Sequence, residues 1–144
     1  DFRREIYLDR INELVTAHPN FMCIASYNPG YQSKLKDLKP STRQRFVNLV
    51  MTYLDPANEA KVLVNQANVT NEVGGQLVKL ANKIRQVSDF HLKETVSTRL
   101  LVNAAILIKD GMNARRACHV AIAEVLSDDF ETVQGLRDLI NLSM

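Results

Sequence analysis

The hydrophobic pattern of this chain changes its period at Asp55-Pro56, and that change divides the sequence into two kinds of structure. Before the boundary, apolar residues alternate at period two over 46–53, as they do in a strand. Beyond it, apolar residues recur every three to four positions, as in amphipathic helices. Asp can cap a helix and Pro is tolerated at the first helical position. The sequence therefore predicts strands before residue 55 and a helical bundle after it.

The first part carries the signals of a hairpin and of buried strands. A loose alternation over 5–17 predicts a hairpin, with a short helix over 10–17 as the rival interpretation. The uncharged run 21–26, which includes Cys23, predicts a strand buried on both faces, because it stops at a polar Tyr-Asn pair and a Pro-Gly breaker. A turn or short helix is expected around 34–44, before the strand at 46–53.

The second part predicts five helices. We expect them over 56–67, over 71–87, from near Ser97 to Gly111, over 114–126, and from Asp128 onward. Asp128 and Glu131 form a capping-box-like start to the last helix. The pattern also predicts which apolar side chains of the last two helices face inward: Ala114, Ala117, Cys118, Ala121, Ile122, Val125, Leu126, Phe130, Val133 and Ile140.

Composition and residue spacing argue against several classes of function. A net charge of +2 over 144 residues does not favour nucleic-acid binding. No apolar run approaches the roughly 20 residues that span a bilayer, so no membrane partner is expected. His18, His91 and His119 share no ligand spacing, and no metal site is predicted. The two cysteines are expected to be buried and reduced, as in the cytoplasm.

Asn28 is the first candidate functional residue, because the carboxyl end of a buried parallel strand is where open α/β sheets bind ligands. Spacing alone also allows a simple turn, since Asn before Pro starts many turns. Arg43 and Arg45 are the next candidates, just before the strand at 46–53. Their alternative interpretation is a solvated basic helix end, with Arg43 paired to Asp37.

Arg99 is the third candidate, because it falls in the first turn of the helix that starts near Ser97. Backbone N–H groups and the helix dipole favour anions at such a position. An Arg at a helix start is also common on ordinary exposed surfaces. The sequence therefore leaves both interpretations of Arg99 open at this point.

Three motifs resemble those of one known family. They are the runs S-Y-N-P-G-Y-Q-S at 26–33, D-L-K-P-S-T-R-Q-R-F at 37–46, and S-T-R-L-L at 97–101. In these motifs the chain resembles the MoxR group of AAA+ ATPases, and within it the CbbQ/NorQ branch. The resemblance covers nearly the whole chain, but only the second half of a family member.

The resemblance implies an α+β architecture: the last strands of an AAA+ core, followed by an all-α helical lid. Residues 1–55 would supply the pre-sensor hairpin 5–17, the sensor-1 strand 21–26, the arginine-finger segment 34–45 and the strand 46–53; residues 56–144 would form the lid. The tip of the hairpin, residues 9–12, would face the ring pore or a substrate.

Each candidate residue receives a role from the same resemblance. Asn28 would be the sensor-1 residue that detects the γ-phosphate of ATP. Arg45, assisted by Arg43, would be the arginine finger that reaches the ATP of the neighbouring subunit. Arg99, with Ser97 beside it, would be the sensor-2 site of the lid, which clamps the nucleotide in its own subunit.

The implied function is that of an ATP- and Mg²⁺-dependent remodelling chaperone that forms a ring, expected to be a hexamer. Such proteins work with a von Willebrand A-domain partner to activate or assemble a metabolic enzyme, and the clients of this branch are Rubisco or nitric oxide reductase. The sequence contains neither a G-x-x-x-x-G-K-[ST] loop nor a strand ending in Asp-Glu. We therefore expect the chain by itself to bind no ATP.

Two alternatives follow from those missing motifs and from the local charge. The first is an interaction or oligomerisation module that hydrolyses nothing. The second, weaker one is a nucleic-acid-binding segment that uses the basic residues of 34–45. An upstream phosphate loop would favour the ATPase over the first alternative, and undetectable or salt-insensitive DNA binding would count against the second.

Overall fold

The computed structural model describes residues 4–26, 39–87, 92 and 95–144. The chain divides into two compact units, residues 1–49 and residues 50–144. The elements of the first unit are β1 (Glu5–Leu8), β2 (Glu13–Thr16) and α1 (Pro40–Arg43). Those of the second are α2 (Pro56–Ala67), α3 (Asn71–Gln86), α4 (Thr98–Lys109), α5 (Ala114–Cys118), a π-helical turn (His119–Ala123), α6 (Glu124–Leu126) and α7 (Phe130–Ser143).

The hairpin predicted over 5–17 is present. β1 and β2 pair antiparallel, with Ile6 opposite Val15 and Tyr7 opposite Leu14. Asn12 closes the turn with a φ of 52°, a left-handed conformation that Asn tolerates better than most residues. The rival short helix over 10–17 is therefore wrong.

The strands expected at 21–26 and 46–53 do not form in this structure. Both segments lack strand structure, and their apolar side chains are exposed, with Ile24 at 86% and Val47 at 92%. Cys23 is exposed as well, instead of lying in a buried strand. A strand buried on both faces needs neighbouring strands for its backbone groups and helices for its side chains. In the described residues the strands are β1 and β2, which pair only with each other, so neither segment has a neighbouring strand to join.

The short helix expected around 34–44 is represented by α1, within the part of this segment that the structure describes. Pro40 occupies the start of the helix, where its missing N–H costs nothing, and Lys39 is the N-cap residue. α1 ends at Arg43, and the N–H of Arg45 donates to the carbonyl of Thr42 at 3.1 Å in the following turn.

The helices of the second unit begin and end where the sequence predicts, within a few residues, because their caps are local. The side chain of Asp55 accepts a hydrogen bond from the N–H of Asn58, and Pro56 follows it at the start of α2. Asn68 ends α2 in the left-handed conformation, with a φ of 53°. Gly111, predicted as the residue after the third helix, has a φ of 96° just beyond α4.

The core of the second unit is formed by side chains from α2, α3, α4, α5, the π-helical turn and α7. Its largest fully buried apolar members are Leu63, Leu77, Leu80, Ile84, Leu101, Ile122, Leu136 and Ile140. Cys118 is also fully buried, as predicted. Among the helices of the described residues, none has the length and apolar character needed to cross a bilayer.

The π-helical turn changes the face that the fourth predicted helix presents. A π turn inserts one extra residue, which shifts the phase of everything that follows it. Ala121, Ile122 and Ala123 are therefore buried in succession, and Val125, predicted to face inward, is 59% exposed. The helix exists as predicted and Leu126 packs against the core, but Val125 does not face inward.

The last helix begins one residue later than predicted. The N-cap is Asp129 rather than Asp128, and its side chain accepts from the N–H of Thr132 at 2.9 Å. Val133 and Ile140 are buried as predicted, but Phe130 is 77% exposed. Phe130 lies in the first turn of α7, and burial along this face decreases toward that end, so this turn extends beyond the core.

Gly74 lies where α3 packs against α2. A Cβ added at Gly74 would stand 3.2 Å from the carbonyl oxygen of Ala60, whereas a Cβ at Gly75 would meet nothing within 4 Å. The two adjacent glycines therefore differ in what they do for the packing of the helix. Gly74 permits a close helix contact, and Gly75 only weakens the helix.

We expect Gly75→Ala to raise the free energy of unfolding by about 0.5–1 kcal/mol, because alanine favours the helix. Gly74→Ala gains the same propensity but displaces the Ala60 carbonyl, so it should fall below Gly75→Ala by about 1 kcal/mol or more. Thermal and urea unfolding of the two variants measures the difference. Equal stabilisation by both would show that α2 and α3 are not packed this closely.

Candidate functional site

The exposed candidate site lies at the N-terminal end of α4, and residues 97–101 are called the α4 start. Ser97 is the N-cap residue of α4, and its side chain makes no capping hydrogen bond. Arg99 is the second residue of the helix and is exposed. The first N–H groups of a helix lack intrahelical partners, and the dipole is positive there. The α4 start therefore presents a guanidinium, a hydroxyl and helix N–H groups that suit an anion.

The start of α5 shows what an ordinary capped helix looks like in the same unit. Asn113 is its N-cap residue, and the Asn113 side chain accepts from the N–H of Arg115 at 3.1 Å. Arg115 occupies the same position after its cap as Arg99 does, and it is also exposed. The difference lies in the cap, because Ser97 leaves its helix end without a side-chain acceptor.

Beneath the α4 start lies a buried ion pair between α2 and α3. Glu59 is fully buried, and its two carboxylate oxygens each accept from Arg85 at 2.8 Å: Oε2 from Nη1 and Oε1 from Nη2. This two-bond arrangement matches the fork of the guanidinium to the carboxylate, and it is the strongest form of such a pair. The Arg85 side chain is itself only 9% exposed.

The same pair holds the backbone on both sides of Ser97. Nε of Arg85 donates to the carbonyl of Val96 at 2.9 Å. The hydroxyl of Thr98 donates to Oε1 of Glu59 at 2.7 Å. Because Val96 and Thr98 flank Ser97, one buried guanidinium and one buried carboxylate together fix the start of α4.

Arg85 also contacts the segment that leads into α2. Its guanidinium carbon lies 3.7 Å from the centre of the Tyr53 ring, within the range of a cation–π contact. Nη1 makes a further hydrogen bond to Oδ1 of Asn82 at 3.2 Å. Arg85 thus contacts residues of four segments: the Tyr53 segment, α2, its own helix α3, and the backbone before α4.

The pKa of Glu59 reflects this environment. Burial alone raises the pKa, but hydrogen bonds from Arg85 and Thr98, with the Arg85 charge, outweigh burial and hold the pKa below its ordinary value of 4.5. Glu59 is therefore ionised at neutral pH. By contrast, burial raises the pKa of the Cys118 thiol to about 12, so this thiol remains protonated and unreactive.

The predicted site residues fall into three groups in the structure. Ser97 and Arg99 lie together at the α4 start, in the second unit. Arg43 and Arg45 lie together at the end of α1 in the first unit, and both are exposed. Asn28 lies outside the described residues. In the part of the chain that the structure describes, no three His, Cys, Asp or Glu side chains come together as metal ligands.

The sequence interpretation missed Glu59, Arg85 and Thr98. A signal was present, because Glu59, Leu63 and Ala67 are spaced by four residues and form the buried face of α2. A carboxylate on the apolar face of a helix requires a buried partner. The sequence alone does not identify that partner among the many basic residues of the later helices.

Comparison with known proteins places this unit in a family. Residues 59–143 match the family model described as CbbQ/NirQ/NorQ C-terminal. The chain is 50% identical over 142 residues to the denitrification regulatory protein NirQ of Pseudomonas aeruginosa. The aligned region covers 99% of the chain and 55% of NirQ. It is 48% identical over 139 residues to the protein NorQ of Paracoccus denitrificans, with 96% of the chain and 52% of NorQ covered.

A more distant relative is the protein CbbQ of Hydrogenophilus thermoluteolus. The identity is 40% over 137 residues, which is 95% of the chain and 51% of that protein. The chain thus spans about half the length of the curated relatives it matches.

Glu59→Gln should lower the free energy of unfolding at pH 7 by about 3 kcal/mol, because it leaves the Arg85 charge buried without its counter-ion. Glu124→Gln is the control, since the Glu124–Arg137 pair is exposed and should contribute less than about 1 kcal/mol. Urea unfolding of both variants measures these costs. Equal, small effects would contradict the role of the buried pair.

The same variant has an expected pH dependence. A carboxyl whose folded pKa is lowered stabilises the protein fully above its unfolded pKa, and that contribution is lost as the pH falls through the folded value. The free energy of unfolding of wild type should therefore approach that of Glu59→Gln as the pH drops below about 4.5. The lowered pKa values of Asp55 and Asp129 affect both proteins equally. If the difference in free energy of unfolding between wild type and Glu59→Gln grows as the pH falls, the assigned direction of the Glu59 pKa is wrong.

Proposed function

Because this chain belongs to the CbbQ/NirQ/NorQ family, we propose that it is the C-terminal part of a ring-forming AAA+ ATPase that activates or assembles a metabolic enzyme. The observation that carries the proposal is the α4 start, where Arg99 is exposed beside an N-cap whose side chain makes no capping bond. It lies inside the region that matches the family model. The helical unit would then be the lid of the ATPase.

The α4 start fits the phosphate groups of ATP. A phosphate needs a cation and several N–H or O–H donors, and Arg99, Ser97 and the first helix N–H groups are donors of this kind. When bound, ATP supplies the phosphoryl group that is transferred to water, and Mg²⁺ neutralises its charge. The role of Arg99 and Ser97 would be to hold the nucleotide in their own subunit as the lid closes.

Arg45 would serve the neighbouring subunit as the arginine finger, with Arg43 as its assistant. Both arginines are exposed at the end of α1, as a residue must be to reach another subunit. Asn28 would orient the attacking water or hold the γ-phosphate as the sensor-1 residue. These roles rest on the motifs at 26–33 and 37–46 and on membership of the family.

The wider assembly follows from the same family. We propose a hexameric ring that works with a von Willebrand A-domain partner, in the cytoplasm, where the free thiols Cys23 and Cys118 stay reduced. The identity is higher to NirQ, named a denitrification regulatory protein, than to CbbQ. This favours a denitrification enzyme such as nitric oxide reductase as the client, with Rubisco as the alternative.

In the assembled ATPase, Arg99→Ala should weaken ATP binding, because the phosphates lose a cation within the subunit. Arg45→Ala should leave ATP binding largely intact and lower hydrolysis by about 10³–10⁵-fold. Arg115→Ala is the matched control for Arg99→Ala, since it removes an exposed Arg from the same position of a capped helix. ATP affinity and turnover of the three variants test the proposal, and equal small effects at Arg45 and Arg99 would contradict it.

Mixed rings separate an arginine finger from a residue that acts inside its own subunit. Subunits with Arg45→Ala keep an intact nucleotide site of their own, and subunits lacking the upstream phosphate-loop lysine keep an intact Arg45. Mixing the two inactive proteins should restore part of the hydrolysis. Mixtures that stay inactive despite forming rings would assign Arg45 to its own subunit.

The 144-residue chain alone should show no change in melting temperature with ATP and Mg²⁺, because its sequence contains no phosphate loop. The measurement is thermal unfolding with and without millimolar nucleotide. The longer ATPase, measured in parallel, should be stabilised. A large shift for the chain alone would show that the main phosphate contacts lie within these residues.

A further inference from the structure

The position of Arg99 depends on two hydrogen bonds that converge on one buried ion pair. Arg99 directly follows Thr98, whose hydroxyl donates to Glu59. The carbonyl of Val96, three residues before Arg99, accepts from Arg85. Since Ser97 lies between these two anchored residues, the backbone that leads into Arg99 is held on both sides.

The ion pair behind these anchors is far more buried than the Glu124–Arg137 ion pair of the same unit. The Glu59 carboxylate is fully buried, and it accepts from Arg85 through both oxygens. The Glu124–Arg137 pair, in contrast, joins side chains that are 42% and 38% exposed. Water and salt weaken the exposed pair, whereas the buried pair keeps its geometry. The α4 start is therefore fixed by directional bonds in addition to apolar packing.

Tyr53 brings a second segment to the same guanidinium. Its ring lies on the face of Arg85, 3.7 Å from the guanidinium carbon. Tyr53 precedes Asp55, the N-cap of α2, by two residues, so it belongs to the segment through which the chain enters the helical unit. A shift of residues 50–55 would therefore act on Arg85 first, and through Arg85 on Val96 and Glu59.

We infer that Glu59 and Arg85 are positioning residues for Arg99, and that Tyr53 links the segment 50–55 to the same guanidinium. The part of this inference that concerns nucleotide rests on the proposed function. The part that concerns the α4 start does not, and the two parts are tested separately.

The first test uses the 144-residue chain and needs no nucleotide. Thr98→Val removes the hydroxyl that donates to Glu59 and keeps the shape of the side chain, whereas Thr98→Ser keeps the hydroxyl. Hydrogen exchange at the Leu100 and Leu101 amides, which bond to the Ser97 carbonyl, should be about 10-fold faster in Thr98→Val and near wild type in Thr98→Ser. The Val133 amide of α7, which bonds to the Asp129 carbonyl, is the internal control and should not change.

The second test is a double-mutant cycle in the longer ATPase. Thr98→Val should weaken ATP binding by about 10-fold, and Thr98→Ser should restore it. In an Arg99→Ala background, Thr98→Val should have no further effect, because the residue through which it acts is gone. Tyr53→Leu should weaken ATP binding in the same direction, by about 3-fold. Glu124→Gln, at the exposed pair, should leave binding unchanged.

Each outcome decides a stated part of the inference. Unchanged exchange at the α4 start in Thr98→Val would overturn the positioning role, whatever the nucleotide result. Additive losses in the Arg99→Ala background would overturn the link between Thr98 and Arg99. A wild-type ATPase that binds no ATP would overturn the proposed function, and the exchange experiment would then decide the positioning role alone.

Discussion

The buried pair between Glu59 and Arg85 is the interaction on which the helical unit depends. It joins α2 to α3, holds the backbone before α4, and carries the ring of Tyr53 on its face. A charged pair in an apolar interior is stable only when nearly all its donors and acceptors have partners. Arg85 and Glu59 meet this condition by bonding to three further residues: Asn82, Val96 and Thr98. Because those bonds are directional, they fix a geometry that apolar packing alone would leave less exact.

Two kinds of interaction therefore divide the work in this unit. Apolar side chains such as Leu77 and Ile122 drive the helices together, and Gly74 lets α2 and α3 approach closely. The buried pair then sets where α4 begins. Above the pair, the Ser97 side chain makes no capping hydrogen bond and Arg99 is exposed. A rigid support beneath an uncapped helix end is the arrangement that an anion site needs.

The helices could be predicted because their signals are local, and the errors arose where they are not. Asp55 and Pro56, two adjacent residues, indicate the start of α2, and Gly111 indicates the end of α4. The phase shift at the π-helical turn, which exposes Val125, has no such local marker. Phe130 is exposed because the first turn of α7 lies beyond the core, and that is a property of the packed unit.

The sequence by itself determined the hairpin, the helices and the candidate arginines, because turns, caps and motifs depend on neighbours along the chain. Only the tertiary structure decided that Glu59 binds Arg85, 26 residues away, and that Thr98 completes the network. Partners of a buried charge are chosen by helix packing, which no local pattern encodes. The segments 21–26 and 46–53 also show the limit of local patterns. Their sequences favour strands, but a buried strand needs neighbouring strands to pair with, and these segments have none in the described residues.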